Sequence, residues 1–139
     1  MSGTTAKAPT STSIPAFIVG GTGYVAGELV RLVAQHPHLT LAGVSSESQA
    51  GSAVSGAFPH LAPILDGDGP LNFVTQGGLV DLMPAGGQAA LFSAAPHVVS
   101  AGVVAALLKA AEARGVKATV VDVSSDFRFR DPKDFQAVY

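Results

Sequence analysis

The sequence holds no cysteine. Disulfides, thiolate nucleophiles and cysteine-based metal sites are therefore excluded from these 139 residues. Charge is scarce as well. Only 13% of the residues are charged, and the formal net charge is -2. No basic stripe offers nucleic acid an electrostatic footprint, so no nucleic-acid partner is expected. No apolar run approaches ~18 residues, so no membrane-spanning helix and no membrane partner are expected. The start, MSGTTAKAPTSTS, lacks the apolar core of a secretory signal. It has nothing to bury and reads as a disordered lead over 1–13. A cytoplasmic protein is the resulting expectation. No Gly-Lys-Ser/Thr follows a glycine loop, which argues against a Walker phosphate site. No histidine pair combines with carboxylates at metal-ligand spacing, so no metal is expected.

What remains is apolar and ordered in its alternation. Apolar residues make up 47% of the chain, enough for one sizeable core over 14–139. Residues 14–19 form a short apolar run, read as a buried strand. From Val25 the period changes. Val25, Leu29, Leu32 and Val33 fall on one helical face, and Pro37 stops that helix. Residues 39–45 (LTLAGVS) read as a second strand, so the opening is a βαβ unit with a parallel pair. Residues 46–70 are rich in Gly, Ser, Pro and Ala and give little pattern. Residues 71–75 suggest a strand, 78–83 a short helix, and 91–95 a strand ending at Pro96. Val99, Val103, Ala106, Leu107 and Ala110 mark a second clear helix. Lys109 and Arg114 suit its C-terminal end, and Gly115 suits the position just past it. Residues 118–123 (ATVVDV) read as a further strand, and the tail as a polar loop. Strand and helix alternate, which predicts an α/β fold: a doubly wound, mostly parallel, Rossmann-like sheet. In such sheets ligands sit at the carboxyl ends of the strands. GGTGY, SSES, PHVVS and DVSSDFR all fall at strand ends.

The glycine loop carries the chemistry. Gly20, Gly21 and Gly23 lie between the first strand and the first helix, with Ala26 in the helix. The pattern reads as G-x-G-x-x-A from Gly21, or as G-x-x-G-x-x-A from Gly20. Either demands a tight turn and close backbone approach by a pyrophosphate, with a small residue at 26 for helix–strand packing. The helix N-terminus adds N–H donors and partial positive charge. Gly20, Gly21, Thr22, Gly23, Tyr24 and Val25 are thus candidate cofactor contacts. So are Ser45 and Ser46 at the second strand's end, where Glu47 would favour NAD if it points inward and the serines could serve a 2′-phosphate.

Several segments resemble one family. GGTGYVAGELVRLVAQHPHL looks like the opening of N-acetyl-gamma-glutamyl-phosphate reductase, which reads roughly G-A-S-G-Y-T-G-A-E-L and then H-P. SSESQAG, FPHL and LFSAAPHVVS are similar to later segments, and DVSSDFR is close to the family's D-L-S-A-D-F-R. The resemblance runs from Phe17 to Tyr139. Glu47 stands where the family commonly has Arg, and Val98 where it often has Gly. The resemblance implies a Rossmann-like NADP-binding part, truncated before the catalytic domain, with NAD possible as cofactor. It implies an acyl phosphate as small-molecule substrate and a homo-oligomer in the full-length form. The family's cysteine thiolate attacks the acyl phosphate, expels phosphate, and leaves a thioester that hydride reduces to the semialdehyde. That cysteine, in a P-G-C-Y-P-T segment, lies beyond the point matching Tyr139, so this chain alone is expected to be inactive. Ala95, Pro96, His97 and Ser124 are the remaining candidate cofactor contacts.

Other readings compete. GGTGYV also suits extended short-chain dehydrogenases, but these need Tyr-x-x-x-Lys, and neither Tyr24 nor Tyr139 has Lys four residues on. Aspartate-semialdehyde dehydrogenase shares the fold and the thioester chemistry. A non-catalytic nucleotide-binding module fits the missing cysteine. Among single residues, His36, His38 and His60 read as structural, His36 as a cap of the first helix. Asp126 and Arg128 suggest an ion pair shaping the last loop.

Overall fold

The computed structural model describes residues 13–67 and 69–138. The lead expected over 1–13 lies outside them except for Ser13, whose hydroxyl meets that of Thr40. The elements run β1 (Ile14–Val19), α1 (Tyr24–Ala34), β2 (Leu39–Val44), α2 (Val54–Ala57), a 3-10 turn (Pro59–Leu61), α3 (Ala62–Leu65), α4 (Gln76–Leu82), β3 (Gln88–Ser93), α5 (Ser100–Ala113), β4 (Lys117–Asp122) and α6 (Pro132–Val138). The four strands form one parallel sheet in the order β2-β1-β3-β4. The chain leaves β1 toward β2 on one side and returns to β3 on the other. The crevice between the ends of β1 and β3 is therefore the topological switch point, where ligands bind in this architecture.

β1 is apolar throughout because it is covered on both faces. Ala16 and Ile18 join Ala26, Val30 and Val33 of α1, with Phe58 and Leu61 beyond. Phe17 and Val19 join Leu79 and Met83 near α4, and Leu107 and Ala111 of α5. Phe17 is fully buried, and truncating it to Ala would cost about 3–5 kcal/mol. Gly43 lets α4 settle on β2, since a Cβ there would lie 2.8 Å from Leu79 Cδ2.

Both long helices bury a different stripe from the one the apolar pattern suggests. In α1 the buried residues are Ala26, Gly27, Val30 and Val33, whereas Val25 and Leu32 are half exposed. In α5 they are Ser100, Val104, Leu107 and Ala111; Val99 precedes the helix and is half exposed. The reason is close approach. Small residues (Ala26, Gly27, Ser100, Ala111) share the buried stripes with Val30, Val33, Val104 and Leu107, while Val25, Leu32 and Val99 stay half exposed. A Cβ on Gly27 would lie 2.8 Å from the Phe58 ring, which occupies that space.

The glycine past α5 follows expectation, whereas no basic residue lies in the helix's last turn and the Arg114 guanidinium donates to Met83 O (2.8 Å). Gly115 has φ +69, its N–H donates to Glu112 O (2.9 Å), and the Val116 N–H donates to Ala111 O (2.9 Å), which together make a Schellman cap. Two other expectations fail. Residues 71–75 are no regular strand; Val74 bridges Ser45 just past β2, Asn72 bridges Ala53 ahead of α2, and Phe73 packs with Ala16, Ile18 and Val44. The tail is not all loop, because Pro132–Val138 is helical with proline at its start.

Candidate nucleotide-binding site

The glycines of the first turn divide by what holds them. Gly20 has φ +86, and a Cβ there would lie 2.7 Å from Ala95 N. Gly21 donates its N–H to Ser45 O (3.0 Å), and a Cβ there would lie 2.8 Å from that oxygen. Both glycines are demanded by neighbouring backbone, whether or not a ligand is present. Gly23 differs. Its φ is -82, which any residue adopts, and a Cβ there would meet nothing within 4 Å. The fold makes no demand for glycine at 23.

Gly23 is the N-cap of α1. No side chain caps this helix, and its first turn has no acidic residue. The first N–H groups of a helix have no intrahelical partner and carry partial positive charge. Thr22 stands between two clefts on this side. One, of about 280 Å³, includes Thr22, Gly23, Tyr24, Glu28, Phe58 and His60. The other, of about 490 Å³, includes Thr22, Gln49, Ser52, Ala53 and Gly56. They share Thr22 and Ala57. Tyr24 is fully exposed and Val25 half exposed. Gln49, Ser52 and Gly56 escaped the sequence reading, because 46–70 shows no period. Their glycine–serine richness was the sole signal.

The other candidates lie at neighbouring strand ends. Ser45 is buried, and its N–H donates to Ile18 O (2.8 Å). Ser46 Oγ accepts the Gln49 N–H (3.3 Å), closing a short turn. Ala95 is buried against Gly20, while Pro96 and His97 are exposed. Ser124 is drawn into a polar circuit. Its hydroxyl donates to Asp122 Oδ2 (2.7 Å) and accepts the Asp126 N–H (3.1 Å). Asp122 Oδ1 also accepts from Ser100 Oγ (2.8 Å), which lies 2.7 Å from Ser93 Oγ. The Asp126 carboxylate accepts the N–H groups of Val98 (2.6 Å) and Ala101 (2.8 Å). The Val98 N–H holds the Asp126 carboxyl below the usual carboxylate value; desolvation opposes this, and Ala101 N–H and His97 add to it. The DVSSDFR segment thus ties the end of β4 to the turn after β3.

A family model for the NAD-binding domain of semialdehyde dehydrogenase matches residues 16–139. The chain belongs to the semialdehyde dehydrogenase NAD-binding domain family. N-acetyl-gamma-glutamyl-phosphate reductase of Pseudomonas syringae pv. syringae is 38% identical over 122 residues, covering 88% of this chain and 32% of that protein. The protein of the same name from Polynucleobacter asymbioticus is 40% identical, with 88% and 31% covered. The chain spans about a third of the length of the curated relatives it matches. A crystal structure of aspartate semialdehyde dehydrogenase with NADP from Candida albicans superposes with a TM-score of 0.55 at 18% identity, covering 85% of this chain and 31% of that one. That likeness concerns the fold.

Within this semialdehyde dehydrogenase domain, Glu47 turns away from the role its position suggests. Its Oε1 accepts the N–H of Gln76 (2.7 Å), the first residue of α4. Thr75 Oγ1 accepts the Gly78 N–H (3.0 Å), so α4 is capped twice. The sequence has no Lys or Arg between Arg31 and Lys109, and Arg31 forks onto Glu28. His36 lies past the C-cap of α1, Gln35, and its Nδ1 accepts the His38 N–H (3.0 Å). Among the described residues, no helix is long and apolar enough to cross a membrane.

Proposed function

We propose that this chain seats the nicotinamide dinucleotide of an acyl-phosphate-reducing enzyme, an N-acetyl-gamma-glutamyl-phosphate reductase. The family membership supports an oxidoreductase with such a cofactor, and the names of the relatives support the substrate class. The observation that carries the reading is Gly23. It is a glycine that the fold does not need, at the uncapped start of α1, in the turn at the switch point. An incoming pyrophosphate explains why a side chain is kept out there.

The bound nicotinamide would supply hydride. The chain's own residues do the holding. Gly20 and Gly21 fix the turn, and the uncapped backbone N–H groups at 23–25 would hold the phosphates. Thr22 and the serines at 45 and 46 border the ribose side, while Ala95, Pro96, His97 and Ser124 border the other end of the crevice. With no cysteine, these 139 residues form no thioester. We expect no semialdehyde oxidation from the isolated chain.

NADP is the proposed cofactor, with a weak preference. Glu47 is occupied at α4, and no Lys or Arg from the 32–108 stretch can meet a 2′-phosphate. NADPH should bind better than NADH by less than about a hundredfold, which is about 2.7 kcal/mol. Glu47→Arg should widen the gap, because guanidinium grips phosphate through a forked contact. Calorimetry with both cofactors on both chains tests this. A clear NADH preference unmoved by the substitution would sink the NADP assignment. No measurable affinity for either cofactor would sink the dinucleotide reading itself.

A further inference from the structure

Val98 is the one non-glycine residue with positive φ (+74) among the described residues. A β-branched side chain in the left-handed region is a steric outlier, and such outliers persist only where their surroundings hold them. Packing of its own side chain does not hold it, since Val98 is 77% exposed. The backbone holds it. Pro96 O accepts the N–H groups of Val99 (3.2 Å) and Ser100 (2.9 Å). The Asp126 carboxylate reaches across from the β4 loop and accepts the N–H groups of Val98 itself and of Ala101. Below, Ser100 is locked to Ser93 and Asp122. His97, exposed like its neighbours Pro96 and Val98, therefore has the peptide that follows it fixed by a carboxylate twenty-nine positions later.

We infer that Asp126 is a positioning residue. It clamps the 96–101 turn in a strained form that keeps His97 at the rim of the β1/β3 crevice, and releasing the clamp lets the turn relax and weakens cofactor binding. This rests on the crevice being the dinucleotide seat. A carboxylate that merely capped α5 would stabilise the helix with no regard to what stands at 98. The clamp makes a different demand: its importance depends on the strain it opposes. Glycine at 98 adopts φ +74 freely, so a chain with glycine there should need Asp126 less.

The test is a double-mutant cycle of wild type, Asp126→Asn, Val98→Gly and the pair, with two readouts. The entropy that glycine adds to the unfolded chain cancels in the cycle. Asp126→Asn is expected to weaken NADPH binding at least fivefold by fluorescence titration, while in the Val98→Gly background the same change should cost less than twofold. Equal losses in both backgrounds, or none in either, would overturn the inference. Amide hydrogen exchange at 98 and 101 provides the second readout and uses no cofactor. Asp126→Asn should accelerate both amides at least tenfold at unchanged protection in β1, and the acceleration should shrink with glycine at 98. Unchanged exchange refutes the clamp. If wild type binds no NADPH, the seat reading fails alone and exchange still decides the clamp. If Asp126→Asn does not fold, Val98→Gly on its own decides: unaltered exchange at 98 and 101 means that no strain was held there.

Discussion

Two turns leave the sheet at its switch point, and both require a left-handed residue. The turn after β1 places Gly20 at φ +86, and the turn after β3 places Val98 at φ +74. The first is solved by composition. Glycine has no Cβ to clash, and the backbone of Ala95 uses the vacated space. The second is solved by a carboxylate, with Asp126 holding a residue that resists the conformation. Glycine makes a turn that is low in strain and sterically irreplaceable. Val98 makes one that is strained and dependent on a distant partner. A substitution at Gly20 therefore disturbs packing, whereas one at Asp126 changes which backbone state the turn prefers.

Gly20→Ala gives the largest expected effect. It adds a Cβ 2.7 Å from Ala95 N at a φ that L residues rarely adopt. Stability should fall by at least ~2 kcal/mol, measured by urea denaturation. The loss should far exceed that of Gly23→Ala, which meets open space and should stay within ~1 kcal/mol. Comparable losses at 20 and 23 would break the division between glycines the fold needs and the glycine it does not. Gly23→Val sharpens the same division through binding. A folded chain with NADPH affinity at least tenfold lower, about 1.4 kcal/mol, is expected by fluorescence titration. Unchanged affinity would remove Gly23 from the site.

The two turns were unequally legible. The glycine turn announces itself, because a tight strand–helix turn needs adjacent small residues, and GGTG sits between an apolar run and a change of period. The alternation of strand and helix and the Gly115 cap were likewise readable from local pattern. The helix faces were not. Counting apolar residues favours Val25 and Leu32, but sheet contact selects Ala26 and Gly27, whose value lies in being small. The role of Glu47 was hidden for another reason. Its partner is the N–H of Gln76, which only the docking of α4 on Gly43 brings near. The Asp126 clamp was half visible. DVSSDFR stood out as a motif and Val98 as a departure from glycine, yet nothing local joins positions so far apart in sequence. The expected Asp126–Arg128 pairing looked to a sequence neighbour, while the carboxylate bonds backbone N–H groups across the crevice edge.

A smaller effect is expected from Ser125, inside the loop that carries the clamp. Ser125 is 7% exposed, and its Oγ is buried with no hydrogen-bond partner among the described residues. The resembling family motif reads Ala at this position. A buried hydroxyl left unpaired costs about 1–3 kcal/mol, and Ala fills nearly the same volume. Ser125→Ala should therefore raise stability by about 1 kcal/mol, seen as a shift of the urea midpoint at unchanged slope. Destabilisation would mean that the hydroxyl has a partner, and that the loop behind the clamp is better satisfied than its geometry shows.

The mildest difference between the turns should appear on acidification. The Val98 N–H, with Ala101 and His97 adding, lowers the Asp126 carboxyl from its ordinary value. A depressed carboxylate contributes stability that is fully present above its unfolded value, near pH 4, and is lost as pH falls through the lower folded value. The carboxylate Glu28 behaves in the same direction through Arg31, so wild type alone does not isolate the clamp. The difference between wild type and Asp126→Asn does, because Glu28 is common to both. Its thermal melting advantage should persist down to about pH 5 and shrink below about pH 4. The turn after β1, which has no titrating partner among its backbone bonds, should show no such window: the gap between wild type and Gly20→Ala should stay level across the same range. An Asp126→Asn gap that also stays level would mean that the amide serves the two N–H groups as well as the carboxylate does. The β3 turn would then owe its shape to neutral hydrogen bonds, and the contrast with the glycine turn would reduce to sterics.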